Sequence, residues 1–323
     1  MSNILVTGGL GFIGSNFIYE LIKDKNLIVN IDFETYASIN KSILNFESYK
    51  NYKHYKVDIA DYEKVSYIIN KFSFDSIFHF AAESHVDNSI NNSLLFSKTN
   101  IMGTLNLLES YKNLKIKNKL FVHISTDEVF GSIKNGKFDE NSRYNPNSPY
   151  SASKASSDHL VKSYFKTYKL PVIITNCSNN YGPYQNVEKF IPTIINSLIN
   201  KKNIPIYGDG KNIREWIHVE DHINGLIHLS KNGKVGESYC IGSGEEFSNI
   251  DIVKIICKIF DELTGSLHSD NLISYVEDRK GHDYRYALNS NKIIKTGWNC
   301  KKTFKNSIKN VIKWYLNNKS FLS

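Results

Sequence analysis

Hydrophobic positions in the first 180 residues alternate between two spacings. Short, dense apolar runs, "NILVT" (3–7), "LIVNID" (27–32), "HYKVD" (54–58), "SIFHF" (76–80), "LFVHIS" (120–125) and "PVIITN" (171–176), predict buried strands. Between them, apolar residues recur at helical spacing over 14–24, 61–73, 93–113 and 151–168. Alternation of this kind predicts right-handed βαβ crossovers, hence an α/β fold with a doubly wound parallel sheet whose ligands lie beyond the carboxyl ends of the strands. After residue 180 the alternation weakens, and turn-rich segments such as "YGPYQN", "YGDGKN" and "GSGEEFSN" separate shorter elements. The expected division is a sheet domain over 1–180 and a smaller α/β carboxyl-terminal lobe over 181–323.

Composition removes several classes. The chain has 323 residues, 41% hydrophobic and 22% charged, with no disorder bias and no apolar run approaching the ~20 residues that cross a bilayer, so no membrane association is expected. The net charge of +8 rests on lysines spread along the chain and only four arginines, Arg143, Arg214, Arg279 and Arg285. The densest lysine run, "KKTFKNSIKNVIKWYLNNK", reads as an amphipathic helix with a solvated face, which argues against a nucleic-acid grip. Scarce arginines mark places that need a planar two-pronged donor. Cys177, Cys240, Cys257 and Cys300 form no CxxC pair and no metal-like spacing, so reduced thiols and no metal are expected. Met1–Thr7 reads as a strand rather than a leader, which points to the cytoplasm.

The opening strand runs into "TGGLGFIGSN". Gly9, Gly11 and Gly14 satisfy GxGxxG and, with Gly8, let backbone approach a pyrophosphate at the start of the next helix. Asp32 follows Gly14 by 18 residues, at the end of the second strand, where a carboxylate accepts from ribose hydroxyls. No arginine follows in "FETYAS" to receive a 2′-phosphate, so the expected cofactor is NAD on a Rossmann-type sheet, with Asp58 and Ile59 near the adenine.

Tyr150 and Lys154, in "PYSASKASSDHL", are four apart on a helix and share a face, where an ammonium can lower a phenol from its usual pKa of about 10. The fifth apolar run ends in Thr126, Asp127 and Glu128, at the carboxyl end of a strand where ligands are expected.

These segments, with "FAAESHVDNSI", "NCSNNYGPYQNVEKFIP", "GDGKNIREWIHVEDH" and "EDRKGHDYRYALN", resemble the extended short-chain dehydrogenase/reductase superfamily and, within it, the nucleotide-sugar 4,6-dehydratases, over nearly the whole chain. The resemblance implies that Tyr150 takes the proton of the hydroxyl on carbon 4 while Thr126 holds that oxygen. It makes Glu128 the base at carbon 5 and Asp127 the acid for the hydroxyl leaving carbon 6. NAD ends the cycle as it began. Phe12, Ile13, Thr35, Ala81, Ala82, Thr99 and Asn180 are implied beside NAD. Asn179, Lys189, Arg214, Asn249 and Arg279 are implied on the nucleotide sugar, with Pro205 and Tyr207 at the base, and Ser84, Phe190 and His282 complete that set. Arg285 is expected to pair structurally, His85 to serve as wall rather than catalyst, and Arg143 receives no role. Helices 93–113 and 151–168 resemble those of the family's homodimer.

One position departs from the pattern. Asn88 stands in "HVDNS" where dTDP-glucose enzymes usually carry arginine, which leans the expected substrate toward UDP-glucose and leaves dTDP-glucose open. A 4-epimerase or decarboxylase would not need Asp127 and Glu128. A non-catalytic NAD-binding sensor would not need the complete set of Thr126, Asp127, Glu128, Tyr150 and Lys154.

Overall fold

The structure, a computed structural model, describes residues 2–116, 119–279 and 281–322. Its first strands and helices are β1 (Asn3–Thr7), α1 (Phe12–Leu21), β2 (Leu27–Asp32), a short α2 (Lys41–Leu44), β3 (Tyr52–Lys56), α3 (Tyr62–Phe72) and β4 (Ser76–His79). Met1 lies outside the described residues. Two short helices, α4 (Val86–Asn91) and α5 (Ser93–Phe96), lead through a π-helical turn at Ser97–Met102 into α6 (Gly103–Lys112). Then come β5 (Leu120–Thr126), α7 (Pro149–Tyr168) and β6 (Val172–Cys177). The helix expected over 93–113 is therefore present but loosened by the π turn, a distortion common where a helix serves a site. The strand expected over 54–58 sits two residues earlier, because Tyr52 carries the buried end of β3.

After β7 (Asn179–Tyr181) the chain forms α8 (Phe190–Ile199), β8 (Ile204–Tyr207), β9 (Ile213–His218), α9 (Val219–Asn232), β10 (Ser238–Ile241), β11 (Glu246–Ser248), α10 (Asn249–Thr264), β12 (Ile273–Val276), a short α11 (Asn291–Ile294) and α12 (Phe304–Asn317). The main sheet has seven strands in the order β3-β2-β1-β4-β5-β6-β10, and every neighbouring pair is parallel. Such a sheet is covered on both faces, which is why β5 and β6 are buried almost throughout rather than on alternate residues. One face packs Phe17 and Ile18 of α1 with Ile223 and Leu226 of α9, and the other packs α3, α6 and α7 through residues such as Ile68, Leu107 and Val161.

A cut at residue 180 does not separate the two layers cleanly. Residues 219–241 return to the main sheet as α9 and β10, because the "SYCI" strand is fully buried when paired to β6. The remaining carboxyl-terminal elements enclose a third core built from α8, α10 and α12 around Trp216, Ile256, Phe304 and Ile312. Two small sheets, β11-β9-β7 and β12-β8, frame that lobe. The lysine-rich tail is the amphipathic α12, with Ile308, Val311, Ile312 and Tyr315 inward.

Candidate active site

The strand order reverses between β1 and β4, and a cleft of about 530 Å³ opens beyond the carboxyl ends of the sheet there. At its base the glycine turn is forced by close approach. Gly8 has φ +72, and a Cβ on it would come within 2.7 Å of the Ala81 backbone. A side chain on Gly14 would run into the Gly8 carbonyl, so α1 could not begin where it does. Asp32 closes the turn from the neighbouring strand: Oδ2 accepts from the Leu10 amide at 3.0 Å, and Oδ1 from the Glu34 amide at 2.8 Å and the Ser38 hydroxyl at 2.9 Å. The carboxylate thus orders two loops around itself and still borders the cleft.

The wall gathers the residues expected to hold the cofactor: Gly8, Gly11, Phe12, Ile13, Gly14, Asp32, Thr35, Asp58, Ile59, Ala81, Ala82, Thr99, Tyr150, Lys154 and Asn180. Thr99 reaches it from the π turn. A Cβ-free turn against Ala81, a carboxylate at the end of β2 and a helix starting at Phe12 form a cradle that fits a dinucleotide.

Where the cleft meets the second lobe it is lined by Thr126, Glu128, Ser84, Asn179, Lys189 and Phe190. The Thr126 hydroxyl caps the turn that follows β5, accepting from the Glu128 amide at 3.3 Å and donating to Asp127 Oδ1 at 3.1 Å. Asp127 is buried behind this wall rather than on it, and its Oδ2 has no hydrogen-bond partner. Burial, reinforced by the charges of Glu128 and Glu215, pushes the Asp127 carboxyl well above the ordinary range. Burial also raises Glu128, but the nearby cations Arg214 and Lys189 oppose it. The two acids are therefore held in unlike environments, which is the condition for unlike protonation states.

Tyr150 lies beside the Thr126 hydroxyl, but its phenol is not lowered as the helical spacing predicted. Burial, with the Glu128 charge next, pushes it well above its usual value. Lys154 is itself depressed by burial, and its ammonium donates to the Ile124 carbonyl at 2.8 Å. Burial of both groups therefore works against a tyrosinate, a cost that helical spacing alone does not reveal.

Several expected substrate contacts are elsewhere. Pro205, Tyr207, Arg214, Asn249, Arg279 and His282 do not border the cleft. Arg214 is buried over the Tyr286 ring and donates to the carbonyls of Ile213 and Asp283, each at 2.8 Å, so its guanidinium is engaged by backbone. Tyr207 has the Arg279 guanidinium over its ring at 5.1 Å and His282 edge-on to it. Arg279 is held by Asp87, with Nε 2.6 Å from Oδ1 and Nη2 donating to Oδ2 at 2.9 Å. Lys189 donates to the Ser84 carbonyl at 3.0 Å. Asn249 opens α10, its amide donating to the Asn212 carbonyl. Arg285 pairs with both oxygens of Glu246, and His85 caps α4 by accepting from the Asn88 amide, as a structural residue does.

Sequence reasoning passed over Tyr36, Glu83, Gln185, Glu188 and Trp216, all on the cleft wall. Tyr36 was legible only through its place after Asp32, and its hydroxyl accepts from the Asn88 amide group at 2.9 Å. The unusual residue in "HVDNS" is thus tied to the loop after β2.

Comparison with known proteins places this geometry. Residues 5–311 match the family described as GDP-mannose 4,6 dehydratase. A dTDP-glucose 4,6-dehydratase of Haemophilus influenzae is 46% identical, over 99% of this chain and 99% of its own. The crystal structure of DesIV, a dTDP-glucose 4,6-dehydratase from Streptomyces venezuelae with NAD bound, superposes with a TM-score of 0.92 at 38% identity, covering 99% of this chain and 98% of that one. A dTDP-glucose 4,6-dehydratase from Bacillus anthracis in complex with NAD gives 0.89 at 39% identity, with 99% and 98% covered. With a sheet reversal, a glycine cradle and the Thr126–Glu128 turn facing one cleft, and a match running through nearly all of the chain, the protein belongs to the GDP-mannose 4,6 dehydratase family.

Proposed function

We propose that the protein is an NAD-dependent nucleotide-sugar 4,6-dehydratase acting on dTDP-glucose, a hydro-lyase that forms the 4-keto-6-deoxy sugar nucleotide and water and so begins a route to rhamnose or another deoxysugar. The observation that carries the reading is the turn after β5, where Glu128 faces the cleft and Asp127 sits behind it with its pKa raised and one oxygen unpartnered. The lean toward UDP-glucose rested on Asn88, whose amide group is engaged by Tyr36 and gives no argument about the base. The names of the relatives favour dTDP-glucose.

NAD, when bound in the glycine cradle, supplies a hydride acceptor that gives the hydride back in the same turnover. The chain's own groups do the rest. Tyr150 Oη receives the proton of the carbon 4 hydroxyl, oriented by Thr126, with the Lys154 ammonium one helical turn away to favour the phenolate against the burial that raises it. The ketone so formed acidifies carbon 5, whose proton Glu128 removes. Asp127, kept protonated by burial and by Glu128, protonates the hydroxyl leaving carbon 6. Lys189 and Arg279 are the cations available to the diphosphate, and Arg279 must exchange Asp87 for it. Arg214 supports Glu128 electrostatically from beneath the wall. The 1–180 segment supplies the NAD-binding and catalytic groups, and the later lobe supplies most of the nucleotide-sugar contacts.

A homodimer suits the apolar exposure of Leu94, Leu95 and Met102 along residues 93–112, beside α7. The reading expects a cytoplasmic enzyme with no nucleic-acid partner. Incubating the purified protein with dTDP-glucose and UDP-glucose side by side tests it: the 4-keto-6-deoxy product should form from dTDP-glucose without added reductant. A 4-epimer as the product, or turnover with UDP-glucose alone, would overturn it.

A further inference from the structure

The catalytic helix carries a third polar residue on its working face. Tyr150, Lys154 and Asp158 follow one another at four-residue spacing on α7, one turn apart. Asp158 is fully buried, and a buried carboxylate persists only where donors or a cation meet it. Its Oδ2 accepts from Ser125 Oγ at 3.0 Å, from the Tyr144 hydroxyl at 2.8 Å and from Asn176 Nδ2 at 3.2 Å, while Oδ1 lies 3.1 Å from His123 Nε2. Although burial opposes ionisation, the His123 contact, the Lys154 charge and the Ser125 bond together hold this carboxyl below its ordinary range. His123 is pushed down by its own burial and stays neutral near pH 7, so it does not cancel the charge.

Lys154 presents the complementary problem. It is buried, its ammonium donates to the Ile124 carbonyl, and among the described residues no carboxylate lies within ion-pair distance of it. Asp158 is the carboxylate whose charge raises its pKa. Asn176 Nδ2 meanwhile donates both to Asp158 and to the Thr126 carbonyl, at 3.1 Å, so the same carboxylate helps fix the start of the catalytic turn.

We infer that Asp158 is a positioning residue for the catalytic pair: its buried charge, fastened by β5, β6 and the loop before α7, keeps the Lys154 ammonium charged and seated on the Ile124 carbonyl for Tyr150 to use. The titratable groups facing this pair are His123 on β5, Cys177 on β6, Asp127 and Glu128 on the turn after β5, Tyr144 on the preceding loop and His79 on β4, whose ring lies 5.3 Å from that of His123. Burial pushes the Cys177 thiol up to about 12, raises Tyr144 and lowers His79, so these stay neutral near pH 7. Asp158 is left as the charge that acts on Lys154 from the side away from the cleft.

The inference deepens the proposed reaction, so its first test does not depend on that reaction. Lysine labelled with carbon-13 at Cε reports the Lys154 titration by NMR in the ligand-free chain, assigned by its loss in Lys154→Arg. Asp158→Asn should lower the midpoint by about one pH unit or more, and Asp158→Glu should restore most of the shift. Asp158→Ser, which removes the charge and keeps a small polar side chain beside Asn176, should lower it likewise, and it serves if Asp158→Asn does not fold. An unchanged midpoint in the folded variants overturns the inference.

The kinetic counterpart uses an Asp127→Asn background, where water loss is blocked and the nicotinamide absorbance on mixing with dTDP-glucose follows oxidation at carbon 4 alone. Adding Asp158→Asn should move the alkaline limb of that signal to lower pH by the same amount as the NMR midpoint. A uniform fall at every pH with no movement of the limb would show a merely structural residue and overturn the inference. No absorbance change in Asp127→Asn itself would instead count against the proposed reaction, leaving the NMR result to decide Asp158.

Discussion

The two halves of the cleft are built in different ways. The cofactor half is made mainly from strand ends and the turns directly after them, on one sheet whose spacing is fixed by parallel hydrogen bonding, with Thr99, Tyr150 and Lys154 reaching it from helices; Gly8, Gly11 and Gly14 border the cleft, whereas the Gly9 amide donates to Asn30. The substrate half is assembled from segments as distant as Ser84 and Lys189, and the cations in it and behind its wall already have partners: the Ser84 carbonyl holds Lys189, Asp87 holds Arg279, and backbone holds Arg214. A backbone-built site exists before its ligand arrives. A site built from long side chains must exchange partners, so part of its affinity is offset by contacts given up.

The largest effects should come from the chemistry between the halves. Glu128→Gln should lower kcat by roughly 10²–10⁴-fold while oxidation at carbon 4 continues, and Tyr150→Phe should remove that oxidation as well, both read by single-turnover absorbance. Asp127→Asn should be crippled on the natural sugar and largely rescued on an analogue bearing fluoride at carbon 6, because fluoride leaves with little acid help. Equal damage on both substrates would assign Asp127 to positioning.

Gly8→Ala tests the backbone-built half. A left-handed residue carrying a side chain costs about 1–2 kcal/mol, and the contact with Ala81 adds to it, so both thermal stability and NAD retention should fall. On the other half, Arg279→Ala should raise KM for dTDP-glucose, whereas Asp87→Asn frees Arg279 and should lower KM by about three- to tenfold, consistent with roughly 1 kcal/mol for a partly exposed pair. If Asp87→Asn weakens binding, the pair is part of the substrate site rather than its competitor.

Stability against pH gives a readout apart from both halves. His222 is buried, donates from Nδ1 to Asn180 Oδ1 at 2.9 Å, and is lowered by burial to about 3. A histidine depressed in the folded state contributes stability that is present above its unfolded pKa of about 6.5 and is lost as pH falls from there toward the folded value, by at most about 1.4 kcal/mol per unit. Unfolding midpoints measured from pH 7 to 4 should fall, and His222→Gln should flatten the slope.

How much of this was legible shows in particular residues. Asp32 and the glycine turn were readable because their roles follow from a strand, a turn and a helix within some thirty residues. β10 was not, since "SYCI" is a short apolar run that gains its identity only by pairing with β6, more than sixty positions away. Asp158 was invisible as anything but a helix residue, because Ser125, Asn176 and Tyr144 converge on it only in three dimensions. The expected lowering of Tyr150 failed for a related reason: a spacing of four gives proximity along a helix, but the sign of the shift depends on how much water the surroundings exclude.

The sequence by itself determined the alternation of strands and helices over the first 180 residues and the glycine turn with Asp32, since these rest on local periodicity and residue chemistry, and it pointed to Thr126, Asp127, Glu128, Tyr150 and Lys154 through resemblance. Tertiary structure decided which carboxyl is buried and raised, which lysine has a distant counter-charge and which arginines are already engaged. Desolvation and electrostatic pairing depend on every group within several ångströms, whatever its place in the chain, and that neighbourhood exists only after the chain has folded.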